Sequence, residues 1–204
     1  MNYPRKLLIA TTNPSKRREM QEILSHANLD IELCTLEDFP DAPEVEETGE
    51  TFLANSHLKA QAGLKHSGLV TIADDGGLCI DALDGAPGVF SSRFLGKETS
   101  FVDKMEQIFV LLKETPPEER TCRFQCAVVI AIPTGESFEC VGACEGTVGY
   151  IRIGSFGFGY DPLFVLPNGR HMAELLPDEK HTISHRGRAL MCAVEVLKKI
   201  FPPL

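Results

Sequence analysis

The sequence lacks any long apolar run. The longest one near the N-terminus, Leu7 to Ala10, is far shorter than a signal-peptide core. No later segment approaches the roughly 18 apolar residues that cross a bilayer. We therefore expect a soluble cytoplasmic protein without membrane contact.

Positive charge is also scarce. The chain has 20 Lys and Arg residues against 29 Asp and Glu residues, a formal net charge of −9. Proteins that coat nucleic acid need an excess of Lys and Arg, so nucleic acid is excluded as a partner. A small anionic ligand is still compatible, provided that local basic groups, helix N-termini or a metal ion offset the overall field.

The cysteines show no sign of a disulfide framework. Their number, seven, is odd, and several lie singly within apolar stretches: Cys34, Cys79, Cys126 and Cys192. That usage is typical of reduced core cysteines in a cytosolic protein. Cys122 with Cys126, and Cys140 with Cys144, fall on predicted strands, which favours buried thiols over a structural zinc site.

Alternating strand and helix signals indicate an α/β protein with a mixed sheet. In the first half, we predict strands over residues 6–10, 31–36 and 69–73, helices over 14–27 and 51–66, and an acidic loop over 37–50. In the second half, we predict a helix between Ser100 and Pro116, a hairpin over 121–132 and 137–146, a strand over 147–153, and a helix capped by Ser184. The third strand is predicted to stop at Asp74-Asp75-Gly76-Gly77. At 204 residues, this is one domain or two small lobes that share a sheet.

The turn after the first strand is a candidate phosphate site. Thr11 to Lys16 would offer unpaired backbone N–H groups, hydroxyls, one lysine and the positive end of a helix dipole. An ordinary capped turn with a surface lysine has the same appearance. The segment is not a Walker loop, because the glycines are missing.

Two acidic pairs are candidates for a metal site. Asp74 and Asp75 end a predicted strand, and Glu46 and Glu47 lie upstream in the acidic loop. Mg²⁺ prefers hard oxygen ligands and bridges substrate phosphates, and a spare carboxylate can take a proton from water. The alternative is simple turn chemistry at the end of the strand.

Two later segments are candidates for nucleotide binding. Residues 154–161 form a glycine-rich loop with interleaved aromatics, which suits stacking on a base but also fits a tight turn with core aromatics. His185 and Arg186 occupy the first turn of the last helix, with Lys180 just before it. Cations at that end of a helix call for an anionic or carbonyl partner, unless the turn is simply solvated.

Six short segments occur in order along the chain. They are residues 9–13 with Lys16 and Glu19, 46–49 with 51–52, 73–78, 85–88 with 92–94, 157–162 and 184–187. Together they resemble the non-canonical purine nucleoside triphosphate pyrophosphatase (inosine triphosphatase) family, over Leu8 to Leu190. Each segment is a weak signal alone, but six in register argue strongly against chance.

The resemblance implies a fold and an activity. The expected fold is a single domain over residues 1–204, with a long twisted mixed β-sheet flanked by helices and an active-site cleft between two lobes. The expected activity is Mg²⁺-dependent hydrolysis of purine nucleoside triphosphates with hypoxanthine or xanthine bases to monophosphate and pyrophosphate, by a homodimer. Two other functions stay open: a nucleotide sensor without hydrolysis, and a pyrophosphatase for modified pyrimidine or methylated nucleotides.

The resemblance also implies residue roles. The triphosphate would be held by Thr11, Thr12, Asn13, Pro14, Ser15 and Lys16. Glu46 and Asp75 would serve the Mg²⁺ site, and Asp75 would also be the proton acceptor. The nucleotide pocket would be completed by Gly76, Phe158, Gly159, Tyr160, Asp161, Lys180, His185 and Arg186, with Lys59 as a further candidate for a phosphate contact.

Two positions depart from the family pattern. Gly76 stands where the family usually has serine, so only its backbone can contribute, and Phe156 replaces a usual glycine. Neither change removes a charged group that the chemistry needs.

Overall fold

The chain folds into two compact units. The structure is a computed structural model that describes residues 3–203. The first unit contains the chain up to Asp75, residues 126–142, and the chain from Arg186 onward. The second unit contains residues 76–125 and 143–185.

The described residues form one six-stranded mixed sheet. Its strands are β1 (Lys6–Ile9), β2 (Glu32–Thr35), β3 (Val70–Ile80), β4 (Thr121–Ala131), β5 (Ser137–Val148) and β6 (Phe164–Val165). Their order in the sheet is β2-β1-β3-β4-β5-β6. β1 is parallel to β2 and β3, whereas β6 is antiparallel to β5. The predicted α/β class with a mixed sheet is confirmed.

The helices begin at residues whose side chains or φ angles suit a helix start. They are α1 (Pro14–His26), α2 (Phe52–Ser67), α3 (Phe101–Leu111), α4 (Pro177–Ile183) and α5 (His185–Ile200). Asn13, Thr51 and Ser100 each accept a backbone N–H from the first turn of the helix that follows them.

None of the helices in residues 3–203 is both long and apolar enough to cross a membrane.

In the first unit, helices cover both faces of the sheet. On one face, Ile9 belongs to the same buried cluster as Met20 of α1 and Leu197 of α5. On the other face, Ala73 packs with Ala60 of α2. Strands that are buried on both faces read as continuous apolar runs, as β1 does.

In the second unit, aromatic side chains pack within a mostly aliphatic core. Phe124 of β4 stacks on Phe164 of β6 with ring centroids 4.5 Å apart. Ile108 of α3 and Tyr160 belong to the same cluster. These contacts hold the glycine-rich loop against a fixed support.

β3 corrects one prediction from the sequence. The strand does not stop at Asp74 but runs through both aspartates and both glycines to Ile80. A Cβ at Gly77 would lie 2.2 Å from the Oγ of Ser91 and 2.7 Å from the carbonyl oxygen of Gly88. This glycine therefore marks the close approach of another segment, and not the end of the strand.

Three other elements differ from the sequence predictions. The separate strand predicted over residues 147–153 is wrong, because β5 itself continues to Val148 and residues 149–153 lie outside any strand. The short elements β6 and α4 were not predicted. Each has too few residues to show a periodic pattern.

The expectation of reduced thiols at Cys140 and Cys192 is wrong in this structure. Cys140 of β5 and Cys192 of α5 form a disulfide, with Cα atoms 5.8 Å apart. The two residues are 52 positions apart in sequence, so only the packing of α5 on the sheet brings them together. The other five cysteines are buried thiols outside this disulfide, as predicted.

Candidate functional site

The N-terminus of α1 is a fully capped turn. The Oδ1 atom of Asn13 accepts the backbone N–H groups of Ser15 and Lys16 at 2.9 and 3.1 Å. The N–H of Asn13 donates to the Oγ1 of Thr11 at 3.2 Å. The backbone N–H groups of Asn13, Ser15 and Lys16 are therefore already used. This turn can still attract a phosphate through the lysine ammonium, the hydroxyls and the helix dipole.

Lys16 reaches from this turn to the two aspartates of β3. Its Nζ lies 3.8 Å from the Oδ2 of Asp74 and 3.3 Å from the Oδ1 of Asp75. From α2, the Nζ of Lys59 lies 3.6 Å from the same Oδ1 of Asp75. Both aspartates are buried, with 0% and 5% exposure. The structure thus brings predicted residues of α1, α2 and β3 close together.

The guanidinium of Arg186 binds the carboxylate of Asp74. Its Nε donates to the Oδ2 of Asp74 at 2.9 Å, and its Nη1 donates to the Oε2 of Glu19 at 2.8 Å. Arg186 is itself 2% exposed. Two of its three guanidinium nitrogens thus donate hydrogen bonds to carboxylates of the protein. A contact between Arg186 and a nucleotide stays a prediction.

The cations around Asp74 keep it ionised. Burial alone would disfavour the charged carboxylate, but the nearby Lys16 and Arg186 outweigh that penalty and hold the pKa of Asp74 well below its usual range. Burial likewise opposes the charge on Lys16, and Asp74 and Asp75 raise its pKa above the ordinary value. Asp74 and Lys16 are therefore both charged at neutral pH.

The Asp74–Asp75 pair fits a Mg²⁺ ion bound together with phosphates. The Oδ1 of Asp74 is buried and has no hydrogen-bond partner among the described residues, so one hard oxygen ligand is available. Residues 3–203 hold no cluster of three or more metal-binding side chains. Mg²⁺ needs only one or two carboxylates when phosphates and water complete its shell. Burial raises the pKa of the adjacent Cys126 thiol to about 12, so that thiol offers no soft thiolate ligand.

The two candidate glutamates of the acidic loop have different surroundings. Glu46 is exposed, whereas Glu47 is half-buried and its Oε1 accepts from the Nζ of Lys59 at 2.5 Å. Since Lys59 also faces Asp75, Glu47 is linked to the aspartates and Glu46 is not. The role of Glu46 as a metal ligand stays a prediction.

Asn55 is a site residue that the sequence reasoning missed. It is fully buried on α2, and its Nδ2 donates to the Oδ2 of Asp75 at 3.1 Å. Its Oδ1 accepts the backbone N–H of Gly49 at 2.7 Å. An asparagine inside a helix is locally unfavourable, which is a signal that could have identified it.

A second cluster of predicted residues lies in the second unit. The Nζ of Lys180 donates to the Oδ2 of Asp161 at 2.7 Å, and both side chains are 4% exposed. The same oxygen accepts the backbone N–H of Phe158 at 2.8 Å. The lysine ammonium also lies 5.0 Å from the centre of the Phe158 ring. The structure therefore joins Phe158, Asp161 and Lys180, as the sequence predicts for one pocket.

Gly157 permits this cluster to form. Its φ is +74°, and a Cβ there would lie 2.0 Å from the Oδ2 of Asp161. Gly159 also has a positive φ, of +66°. The glycines therefore serve the conformation of the loop, so that Asp161 can approach its backbone.

Three further predicted residues are held mainly by contacts or burial within the protein. Tyr160 is 3% exposed, and its hydroxyl donates to the carbonyl oxygen of Ser91 at 3.0 Å. The ring of His185 stacks on Phe124 with centroids 4.8 Å apart. Gly76 is half-buried within β3. Their contacts with a nucleotide stay predictions.

Comparison with known proteins covers almost the whole chain. A model of the Ham1 family matches residues 7–196. A dITP/XTP pyrophosphatase of Exiguobacterium sp. strain AT1b is 48% identical over 186 residues, which cover 91% of this chain and 93% of that protein. A dITP/XTP pyrophosphatase of Bacillus cereus is 42% identical over 204 residues, with 98% of each chain covered.

Solved structures show the same architecture. A HAM1 protein from Coxiella burnetii matches with a TM-score of 0.86 and 38% identity, over 95% of this chain and 98% of that one. A nucleoside-triphosphatase described as a dITP/XTP pyrophosphatase, from Mycobacterium abscessus, matches with a TM-score of 0.76 and 39% identity, over 92% and 98%.

Proposed function

This chain belongs to the Ham1 family, and from that premise we propose that it hydrolyses non-canonical purine nucleoside triphosphates. The substrates are ITP, dITP and XTP, and the products are the monophosphate and pyrophosphate. The reaction removes these nucleotides from the cellular pool. The observation that carries the proposal is the buried Asp74–Asp75 pair, which faces the ammonium groups of Lys16 and Lys59.

The triphosphate is bound by Lys16, at the N-terminus of α1, and by Lys59 of α2. Both lysines already lie within 4 Å of Asp75, so a phosphate that approaches this carboxylate meets two cations and a helix dipole. The hydroxyls of Thr12 and Ser15 supply donors at the same turn. Local positive charge thus offsets the net negative charge of the chain.

Asp75 takes the proton from the attacking water. The water oxygen attacks the α-phosphorus in line, the bond from the α-phosphorus to the α,β-bridging oxygen breaks, and pyrophosphate leaves with that electron pair. Phosphoryl chemistry of this kind depends on position and charge stabilisation, so no covalent nucleophile is needed. A binding sensor has no need of a water-activating carboxylate, so the buried Asp75 favours the enzyme.

Asp74, Asp75 and a glutamate of the acidic loop are the groups that would hold Mg²⁺. When bound, the ion would neutralise charge on the phosphates and orient them. Asp74 suits this role because Arg186 keeps it ionised and its Oδ1 is uncommitted within residues 3–203. Arg186 and Glu19 fix the direction of that carboxylate.

The base is recognised by residues of the second unit. Lys180 is held by Asp161 and can donate to the 6-oxygen of hypoxanthine or xanthine. Adenine carries a donor amine at that position, so the base would offer Lys180 no acceptor, a large penalty in a buried site. Phe158 lies beside Lys180 and suits contact with the purine face.

We further propose that the protein acts in the cytoplasm as a homodimer.

The identity of the products tests this proposal. With ITP and Mg²⁺, we expect inosine monophosphate and pyrophosphate in equal amounts, without inosine diphosphate or inorganic phosphate. A chelator such as EDTA should stop the reaction, and added Mg²⁺ should restore it. Release of phosphate in place of pyrophosphate, or a rate that is unchanged by the chelator, would contradict the proposal.

A further inference from the structure

Asn55 joins two parts of the candidate site that lie apart in sequence. Its Nδ2 donates to the Oδ2 of Asp75, and its Oδ1 accepts the N–H of Gly49 in the acidic loop. We infer that Asn55 is a positioning residue that orients the Asp75 carboxylate for catalysis and holds the acidic loop beside it. The inference rests on the proposed function, because it assigns Asp75 the role of proton acceptor.

The two oxygens of Asp75 have different surroundings. Oδ2 accepts from Asn55 at 3.1 Å, whereas Oδ1 lies 3.3 Å from the Nζ of Lys16 and 3.6 Å from the Nζ of Lys59. A carboxylate held by one oxygen cannot rotate freely about its Cβ–Cγ bond. Asn55 therefore leaves Oδ1 as the oxygen that faces the two lysines, where the triphosphate and the water bind.

The contact with the loop is closely packed. A Cβ at Gly49 would lie 2.7 Å from the Oδ1 of Asn55 and 2.9 Å from its backbone nitrogen. Only glycine permits the loop to approach this closely. Gly49 follows Glu47, whose carboxylate accepts from Lys59, so the position of Asn55 also fixes this glutamate relative to Asp75.

Burial gives these hydrogen bonds their strength. Asn55 is 0% exposed, so water does not compete for its amide group. An amide offers a donor and an acceptor on opposite sides of one rigid plane. This is the combination needed to bind a carboxylate on one side and a backbone N–H on the other.

The test compares Asn55→Ala with Ser56→Ala. Ser56 is the next residue of α2, is also fully buried, and donates to the carbonyl oxygen of Ala127 at 2.9 Å without a contact to Asp75. We expect Asn55→Ala to lower kcat for ITP by about 10- to 100-fold, with KM changed by less than about threefold. Ser56→Ala should lower the melting temperature but keep kcat.

Two further measurements keep the test decisive. If Asn55→Ala does not fold, Asn55→Leu fills a similar volume without polar atoms and should show the same loss of kcat. Amide hydrogen exchange without nucleotide provides a readout that is independent of activity: the Gly49 N–H should exchange at least about tenfold faster in the variant than in the wild type.

The outcomes separate this inference from the proposed function. If kcat of the Asn55 variants equals that of Ser56→Ala, or if the Gly49 amide is equally protected in variant and wild type, the positioning role is wrong. Faster exchange at Gly49 in a protein whose wild type releases no pyrophosphate would reject the proposed function while keeping the contact with the loop.

Discussion

Replacing Asp75 with Asn is expected to lower kcat for ITP by about 10²- to 10⁴-fold, the usual contribution of a general base. The amide of Asp75→Asn has nearly the shape of the carboxylate but cannot take a proton from water. Because Lys16 and Lys59 are unchanged, ITP should still bind with a Kd within about threefold of the wild type. Pre-steady-state turnover and equilibrium titration measure these two quantities separately.

A matched control is available in Asp84→Asn. Asp84 is exposed and has a φ of +51°, a conformation that asparagine also tolerates, so the substitution changes charge without strain. Its kcat should equal that of the wild type. An Asp75→Asn enzyme that keeps more than about one-tenth of wild-type kcat would rule out Asp75 as the proton acceptor.

The variant Arg186→Met is expected to reduce the free energy of unfolding by about 3–5 kcal/mol. Arg186 is the buried cation that Asp74 and Glu19 share, and its removal leaves two buried carboxylates without that partner. A broken buried ion pair costs much more than the pair contributes when intact. Urea denaturation at neutral pH, with and without the substitution, measures the difference.

Arg188→Met is the matched control on the same helix. Arg188 lies two residues further along α5 and is exposed, so this substitution should change stability by no more than about 0.5 kcal/mol. Adding Glu19→Gln to Arg186→Met should recover part of the lost stability, because one of the two carboxylates that lost the guanidinium is then neutral. A loss below about 1 kcal/mol for Arg186→Met would show that the network contributes little to the fold.

Local signals were sufficient to predict most of the elements. Asn13-Pro14 placed the start of α1, and Thr51 and Ser100 preceded α2 and α3 as predicted. The continuous apolar run of residues 7–10 indicated a strand, and the structure has helices on both sides of it. These features depend on neighbours within a few residues, which a sequence displays directly.

The glycines after Asp75 misled the prediction because their reason is tertiary. Gly77 stands in β3 since Ser91 packs against its Cα, and nothing near Gly77 in the sequence shows that contact. The sequence therefore suggested that the aspartates lie at the end of a strand. In the structure they lie inside one, where burial makes their charges more influential.

The candidate site was predictable only in part for the same reason. The sequence indicated Lys16, Asp74 and Asp75, because charged residues at turns and strand ends stand out. It offered no sign that Arg186 faces Asp74, 112 residues away. Asn55 was missed because its partners are distant in sequence: Asp75 is 20 residues away.

The most direct test of the central claim is pyrophosphate release by the wild-type protein from ITP, dITP, XTP, GTP and ATP, with Mg²⁺ and with EDTA. We predict fast release from ITP, dITP and XTP that requires the metal, and kcat/KM for ATP lower by about two orders of magnitude or more. Guanine carries the same 6-oxygen as hypoxanthine, so rejection of GTP rests on its 2-amino group and not on Lys180. Equal rates with ATP and ITP would contradict base recognition through Lys180. Tight binding of ITP without release of pyrophosphate would contradict the enzymatic function itself.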